Sequence, residues 1–381
     1  MKKNIYRLFA VIAFVVAGIL ISCSDDSEIG TPVIKYIRIT EPLSSDSLLV
    51  AAGQGQMVAI IGENLGTAIE LWFNDQRAEL NTTFIYDKSI IARVPAEIPL
   101  VVNDELMLKF RNGETLTYNF NVDISAPSVL RMKSEYVEEG GVATIFGNFF
   151  YEPLQVTFSG GVEGEIVSVT DNTLEVTVPA GAGSGPVTVA SNFGSTESTF
   201  WFRDDRNVFA SFDVPLANGV WRGPDNIVET DPDINNVSGK FTRVNENLGA
   251  WPFYELYGGP MEGDIGAEAS NIPQGAISNP AGYDLKFEIN TLASLTGATM
   301  RLHIGNAMND GLDAARQSSY YAWEVNLDTG GEWQTVTIPW ASVYQGFDYD
   351  ATGYSVFIYF HGPNPAVHNF GLDNLRVVPN N

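Results

Sequence analysis

Gln56-Met-Val-Ala-Ile-Ile-Gly-Glu-Asn-Leu65 is echoed further along the chain by Gly141-Val-Ala-Thr-Ile-Phe-Gly-Asn-Phe-Phe150, which sets Gly62 and Gly147 85 residues apart. Both stretches are apolar, β-branched runs closed by a glycine, the pattern of a strand rather than of a helix. A second correspondence lies downstream, where Ile91-Ala-Arg-Val-Pro95 matches Glu175-Val-Thr-Val-Pro179. Each unit also opens on a proline and an apolar run, at Pro32-Val-Ile and at Pro127-Ser-Val-Leu. Repetition at this period predicts two copies of one small β-sandwich, each about 80–95 residues long. The copies are placed at residues 32–124 and 125–203. Where the first has Gly62-Glu-Asn64, the second has Gly147-Asn-Phe149, so a different turn is expected there.

The remainder, 204–381, also reads as strands, and almost no window of the chain shows helical spacing. Arg203-Asp-Asp-Arg206 joins it to the second repeat without a Gly or Ser run, so a long flexible linker is not expected. Gly330-Gly-Glu-Trp-Gln-Thr-Val-Thr-Ile-Pro339 alternates as a half-buried strand does, and the chain closes on Asn369-Phe-Gly-Leu-Asp-Asn-Leu-Arg-Val-Val378. Both segments resemble the core strands of jelly-roll carbohydrate-binding modules. The Gly-x-Asn turn and the Val-Pro ends of the two repeats resemble the IPT/TIG immunoglobulin-like family. The expected fold is therefore all-β: tandem immunoglobulin-like (IPT/TIG) β-sandwiches followed by a jelly-roll, carbohydrate-binding-module-like β-sandwich.

Residues 204–381 hold five Trp and nine Tyr, against two and five in 24–203. Aromatic rings suit sugars because they cover the flat C–H face while amides, carboxylates or guanidinium groups bind the hydroxyl edge; each ring is worth about 1–3 kcal/mol. The competing reading is core packing. In Gly249-Ala-Trp-Pro-Phe-Tyr-Glu-Leu-Tyr-Gly-Gly259, an extended chain puts Trp251, Phe253 and Tyr257 on one face and Tyr254 on the other. Pro252 argues for an edge or loop. Trp221 sits beside Arg222 in a Gly/Pro-rich loop, and Tyr321 and Trp323 share a strand face that is either core or site. Trp333 and Trp72 are expected in cores, and Trp340 is left open.

The chain begins with Lys2, Lys3 and Arg7, then an apolar run, Leu8 to Leu20, too short to span a bilayer comfortably. Leu20-Ile-Ser-Cys23 resembles the lipobox of bacterial lipoproteins, and Cys23 is the single cysteine of the 381 residues. Residues 1–22 are expected to be a signal peptide and 23–31 a lipidated cysteine with a flexible tether. Ser24-Asp-Asp26 resembles the acidic tag of surface-exposed lipoproteins in some Gram-negative bacteria, which implies lipid anchoring in the outer membrane. With one Cys and three His, little is left for a disulfide framework, zinc or triad chemistry. The formal net charge of -25 argues against nucleic acid and anionic glycans as partners, because binding polyanions needs Lys and Arg facing them.

Lipobox, tandem IPT-like repeats and an aromatic-rich final sandwich together resemble the surface glycan-binding protein B group, the SusE/SusF-position lipoproteins of SusC/SusD-type glycan uptake systems. That resemblance implies a non-catalytic protein that captures a neutral β-glucan (xyloglucan, mixed-linkage or β-1,3-glucan) on its last domain. The repeats become spacers and a SusC/SusD-type transporter becomes a partner. By pattern it carries binding onto Trp221 and onto Phe253-Tyr254.

Two other classes stay open. One is a surface adhesion or assembly protein acting through its Ig-like domains. The other is a divergent glycoside hydrolase, for which Glu229-Thr-Asp-Pro-Asp233 is a superficial match without a second catalytic Glu. No cofactor is expected. Asp213 and Asp373 are the candidates for a structural Ca²⁺ site, since carboxylate oxygens suit that ion.

Overall fold

The computed structural model describes residues 30–41, 47–213, 226–261, 272–305, 320–351 and 353–380. Its contacts divide the chain into two compact units, Met1–Ile124 and Ser125–Asn381.

In the first unit, Val33–Ile39, Met57–Glu63 and Ser89–Arg93 run antiparallel in a five-stranded sheet, and Ala68–Phe73 and Glu105–Phe110 pair in a four-stranded one. Period-two alternation sends Leu106, Leu108 and Phe110 inward to meet Ile37, Val58 and Ile60 in one core. The same alternation turns Trp72, between buried Leu71 and Phe73, to the outside. There its indole N–H donates to Glu70 (2.9 Å) and the Lys109 ammonium lies 5.4 Å from the ring centroid. The expectation that Trp72 packs in the core is corrected by its parity.

The repeated glycines have a steric cause. A Cβ on Gly62 would lie 2.0 Å from the carbonyl oxygen of Val33, and one on Gly147 1.9 Å from that of Ser128. Both sit where the register of the opening strand slips. The turn that follows is also the same in both copies, contrary to the sequence expectation. Asn64 and Phe149 both take a left-handed backbone, with φ of 58° and 61°. The amides of Leu65 and Phe150 then donate to Asp87 and Asp171 (2.9 and 3.2 Å), and both side chains are buried. Phe149 thus adopts a conformation that Asn tolerates better.

Residues 125–203 form one seven-stranded antiparallel path around Ile145, Val156, Phe158, Leu174, Val176 and Val189. Residues 204–381 form a second sandwich. Its larger sheet contains Phe241–Leu248, Ala366–Pro379, Tyr283–Thr291 and Gln334–Pro339, in that spatial order. Its smaller sheet runs Tyr254–Pro260, Ser355–Phe360, Thr299–Gly305, Tyr321–Glu324. Between them lies a core of Phe287, Ile289, Leu302, Ile358, Phe370, Leu372 and Val377. Trp340, fully buried, donates its indole N–H to the Ala276 carbonyl (3.0 Å).

The outer face of the larger sheet carries Lys286, Glu288, Thr335 and Arg376, yet Lys286, Glu288 and Arg376 are buried. They are covered by Ser134, Glu135 and Tyr136 of the second repeat. Glu135 ion-pairs with Lys286 (2.6 Å) and Arg376 (2.6 Å), and Arg376 also pairs with Glu288 (2.9 Å). Ser134 and Thr335 hydroxyls donate to Glu288, and the Glu135 amide donates to Thr335 Oγ1 (2.7 Å). Burial pushes the Glu288 carboxyl up despite Arg376. Burial also opposes charge on Arg376, but Glu135 and Glu288 together hold its guanidinium protonated. At the joint, fully buried Asp204 takes a two-pronged ion pair from Arg206 (2.8 Å each), and Tyr136 donates to the Asp204 carbonyl (2.7 Å). The joint is an ordered corner.

Candidate functional site

The smaller sheet of the C-terminal sandwich has aromatic side chains on both faces. In Ser355-Val-Phe-Ile-Tyr-Phe360, Val356, Ile358 and Phe360 enter the core, while Phe357 and Tyr359 form a separate cluster on the opposite face. Their rings stack 4.6 Å apart at 25°. On the neighbouring strand, Met300, Leu302 and Ile304 face the core, so Arg301 and His303 share the outer face with Phe357 and Tyr359. His303 lies 5.6 Å from Tyr359 at 16°, and its Nε2 is 3.2 Å from the Tyr359 hydroxyl.

Three exposed rings lie against this layer. Phe253, 45% exposed, is 5.0 Å from Tyr359 and 5.8 Å from Phe357. Trp251, 57% exposed, is 5.2 Å from the His361 ring. His361 is itself fixed by its Nδ1–H donating to the Pro252 carbonyl (2.8 Å). Trp251 has a left-handed backbone (φ 54°), held by its amide donating to the Gly362 carbonyl (2.6 Å). Tyr320, 42% exposed, packs on His303 at 5.2 Å, with the Arg301 guanidinium 4.4 Å from its ring. Glu255 and Arg301 flank Tyr359 in register on the two adjoining strands, and Glu324 accepts from Thr299 Oγ1 (3.0 Å). Glu255 is buried, so a broad ring surface edged by the Arg301 guanidinium can cover the C–H face of a sugar and bind its hydroxyls.

The residues singled out from the sequence divide by parity. Trp251 and Phe253 are exposed on this face. Tyr254 is 2% exposed and belongs to the core, where its hydroxyl accepts from Asn226 Nδ2 (3.0 Å). A register shift between Glu255 and Tyr257 turns Tyr257 into the core as well, so it does not share the face of Phe253. Tyr321 and Trp323 pair with Leu302 and Met300, which places them on the core side; Trp323 packs edge-on against Phe287 at 5.3 Å. Their core-or-site ambiguity is thereby corrected towards packing, and burial raises the pKa of the Tyr321 hydroxyl. Trp333, expected in the core, is instead on the outer side of the larger sheet, its indole N–H donating to the Asn235 carbonyl (2.7 Å). Trp221 and Cys23 lie outside the described residues.

The sequence reading missed Tyr320, Phe357, Tyr359, His303, His361 and Arg301. One signal was present. A strand in which both parities are aromatic or apolar, as in Val356 to Phe360, does not present one face to water in the ordinary way.

The Asp213 carboxylate accepts from the Lys240 amide (2.7 Å) and the buried Asp373 carboxylate from the Asn374 amide (2.8 Å). Among the described residues no group of three or more His, Cys, Asp or Glu side chains is arranged to hold a metal ion. In the glucanase-like stretch, Asp231 accepts from the amides of Asp233 and Ile234 and pairs with Arg243 (3.0 Å). Burial opposes its charge, but those bonds hold its carboxyl below the usual range. Asp231 is thus a turn-forming residue.

Two β-sandwich domains of immunoglobulin type and a third with a ring-covered sheet face define a modular, carbohydrate-binding class of protein. Comparison with known proteins agrees. Residues 202–379 match the family described as surface glycan-binding protein B xyloglucan binding domain. An IPT/TIG domain-containing protein of Bacteroides ovatus is 32% identical over 169 residues, which make up 41% of this chain and 34% of that protein. The chain thus matches about a third of the length of that curated relative. The crystal structure of surface glycan-binding protein PbSGBP-B from Prevotella bryantii superposes with a TM-score of 0.64 at 25% identity, covering 92% of this chain and 99% of that one. An SGBP-B from a complex xyloglucan utilization locus in Bacteroides uniformis covers 92% of this chain and 99% of its own, at 16% identity and a TM-score of 0.48.

Proposed function

We propose that this protein captures a neutral β-glucan at the cell surface, without cleaving it, by stacking sugar rings on the outer face of the smaller C-terminal sheet. The observation that carries this reading is the set of exposed rings on one face: Phe253 and Tyr320 rest on the buried layer of Phe357, Tyr359 and His303, and Trp251 rests on His361 beside it. Such a layer removes the rotamer freedom of the exposed rings before ligand arrives, which lowers the entropic cost of binding. The strained backbone of Trp251 fits a residue held in place for contact rather than for folding. The partly exposed Arg301 supplies a hydrogen-bonding group for the sugar edge. Trp221 joins the site on the strength of its sequence setting.

Anchoring through a lipid on Cys23 keeps the domain at the outer membrane, and a SusC/SusD-type transporter receives the bound chain. The acidic balance of the protein favours a neutral glycan, and xyloglucan is the first candidate because residues 202–379 match the family named for it.

Affinity electrophoresis against xyloglucan, mixed-linkage glucan and β-1,3-glucan tests the reading. At least one of them should retard the protein, and Trp251→Ala with Phe253→Ala should abolish the retardation. Unchanged mobility of the double variant refutes the site. Release of reducing sugar refutes the non-catalytic reading.

A further inference from the structure

Between the second immunoglobulin-like repeat and the C-terminal sandwich, both within the unit 125–381, a cleft of about 690 Å³ opens against the larger sheet, away from the ring-covered face of the smaller sheet. That volume lies inside the range of about 300–1,000 Å³ usual for ligand sites. The repeat contributes Thr144 and Glu175, and the sandwich contributes Asp233, Asn236, Asn290 and Trp333. Trp333 is partly exposed and its ring is fixed, by the Asn235 carbonyl and by Phe241 packed edge-on at 5.6 Å.

Asn290 supplies the second observation. It is 3% exposed and its Nδ2 donates to the Gly331 carbonyl (2.9 Å), but its buried Oδ1 accepts no hydrogen bond among the described residues. A buried acceptor without a donor is costly, and a ligand hydroxyl satisfies it. Glu138, Glu175, Asp233 and Glu332 outnumber Lys133, the cleft's one basic lining residue, which pairs with Glu332. That charge disfavours anionic sugars.

We propose that this cleft is a second subsite for a neutral oligosaccharide, with a sugar ring seated against Trp333 and a hydroxyl donating to Asn290 Oδ1. The proposal rests on the glycan-binding reading for its ligand class but not on the ring face itself. Two weak sites on one body raise retention of a long chain through effective concentration.

The test is a titration of the full chain, ¹⁵N-labelled at its Trp indoles, with a β-1,4-glucan hexasaccharide and with a xyloglucan oligosaccharide. The Trp333 indole N–H should shift and saturate with at least one of them, and should still do so in the Trp251→Ala, Phe253→Ala double variant. Thr144→Phe, which fills the cleft from the repeat side, should erase the Trp333 shift and leave that of Trp251 unchanged. A Trp333 signal that stays still while Trp251 saturates overturns the subsite. If Trp333 shifts and Trp251 does not, the ring face fails and the cleft stands; if neither shifts, both fail.

Discussion

Replacing Glu135 by alanine removes one of two carboxylates from a buried group of four charges. Glu135 touches Lys286 and Arg376 at 2.6 Å each, and Arg376 is left with Glu288 at 2.9 Å. After the substitution two buried cations face a single buried anion. At an effective dielectric constant near 20, each close pair is worth about 4 kcal/mol of attraction, most of which offsets desolvation. The remaining imbalance is what destabilises. Breaking a buried ion pair by removing one partner costs about 3–5 kcal/mol. For a cooperative body the size of residues 125–381, this lowers the melting temperature by roughly 6–20 °C. Differential scanning calorimetry of the full chain reads this directly, and the melting of 125–381 should fall or split into two transitions. Glu135→Gln keeps the acceptor oxygen and should lose less. Glu135→Ala combined with Lys286→Met restores charge balance and should recover part of the loss, giving a favourable coupling in the double-mutant cycle. A single transition within about 2 °C of the parent protein would refute the argument that this network holds the two domains together.

The other predictions concern the ring face, the repeats and pH. Phe253→Ala should weaken β-glucan binding about five- to hundredfold in isothermal titration, the equivalent of about 1–3 kcal/mol per ring, with little change in melting temperature. Trp323→Ala should do the reverse, losing about 3–5 kcal/mol of stability in urea unfolding because its ring packs on Phe287 in the core. Gly147→Ala should destabilise residues 125–203 by about 1–3 kcal/mol or more, since the added carbon meets the Ser128 carbonyl oxygen and Phe150. Burial lowers the pKa of His368 below 6.5, so the folded state disfavours the proton that the unfolded chain accepts. Its stabilising contribution is therefore complete above pH 6.5 and is lost as pH falls below that value. Urea midpoints measured at pH 7.5 and 5.5 should drop less in His368→Phe than in the parent.

Much of the architecture was legible because sandwiches advertise themselves by alternation and by repeats. Gly62 and Gly147 stood out for a physical reason, the approach of a partner-strand carbonyl to within 2.0 Å of a Cβ position. The site was only half legible. Trp251 and Phe253 are loop and edge residues whose exposure follows from Pro252. Tyr254, Tyr257, Tyr321 and Trp323 could not be sorted, because which parity faces inward depends on strand pairing and on the slip between Glu255 and Tyr257. Phe357 and Tyr359 were overlooked because an apolar run looks the same whether its second face meets a core or a ligand. The charged outer face of the larger sheet was equally opaque, since Lys286, Glu288 and Arg376 read as solvated until Glu135 is brought against them.

The ion-paired interface lies on one sheet of the sandwich and the exposed rings lie on the other. On the proposed function, tension on a captured polymer must cross the sandwich core before it reaches the repeat. It then meets charges that are buried, where dissolved salt screens weakly. The joint between sandwich and repeat is therefore insulated from the ionic strength of its surroundings.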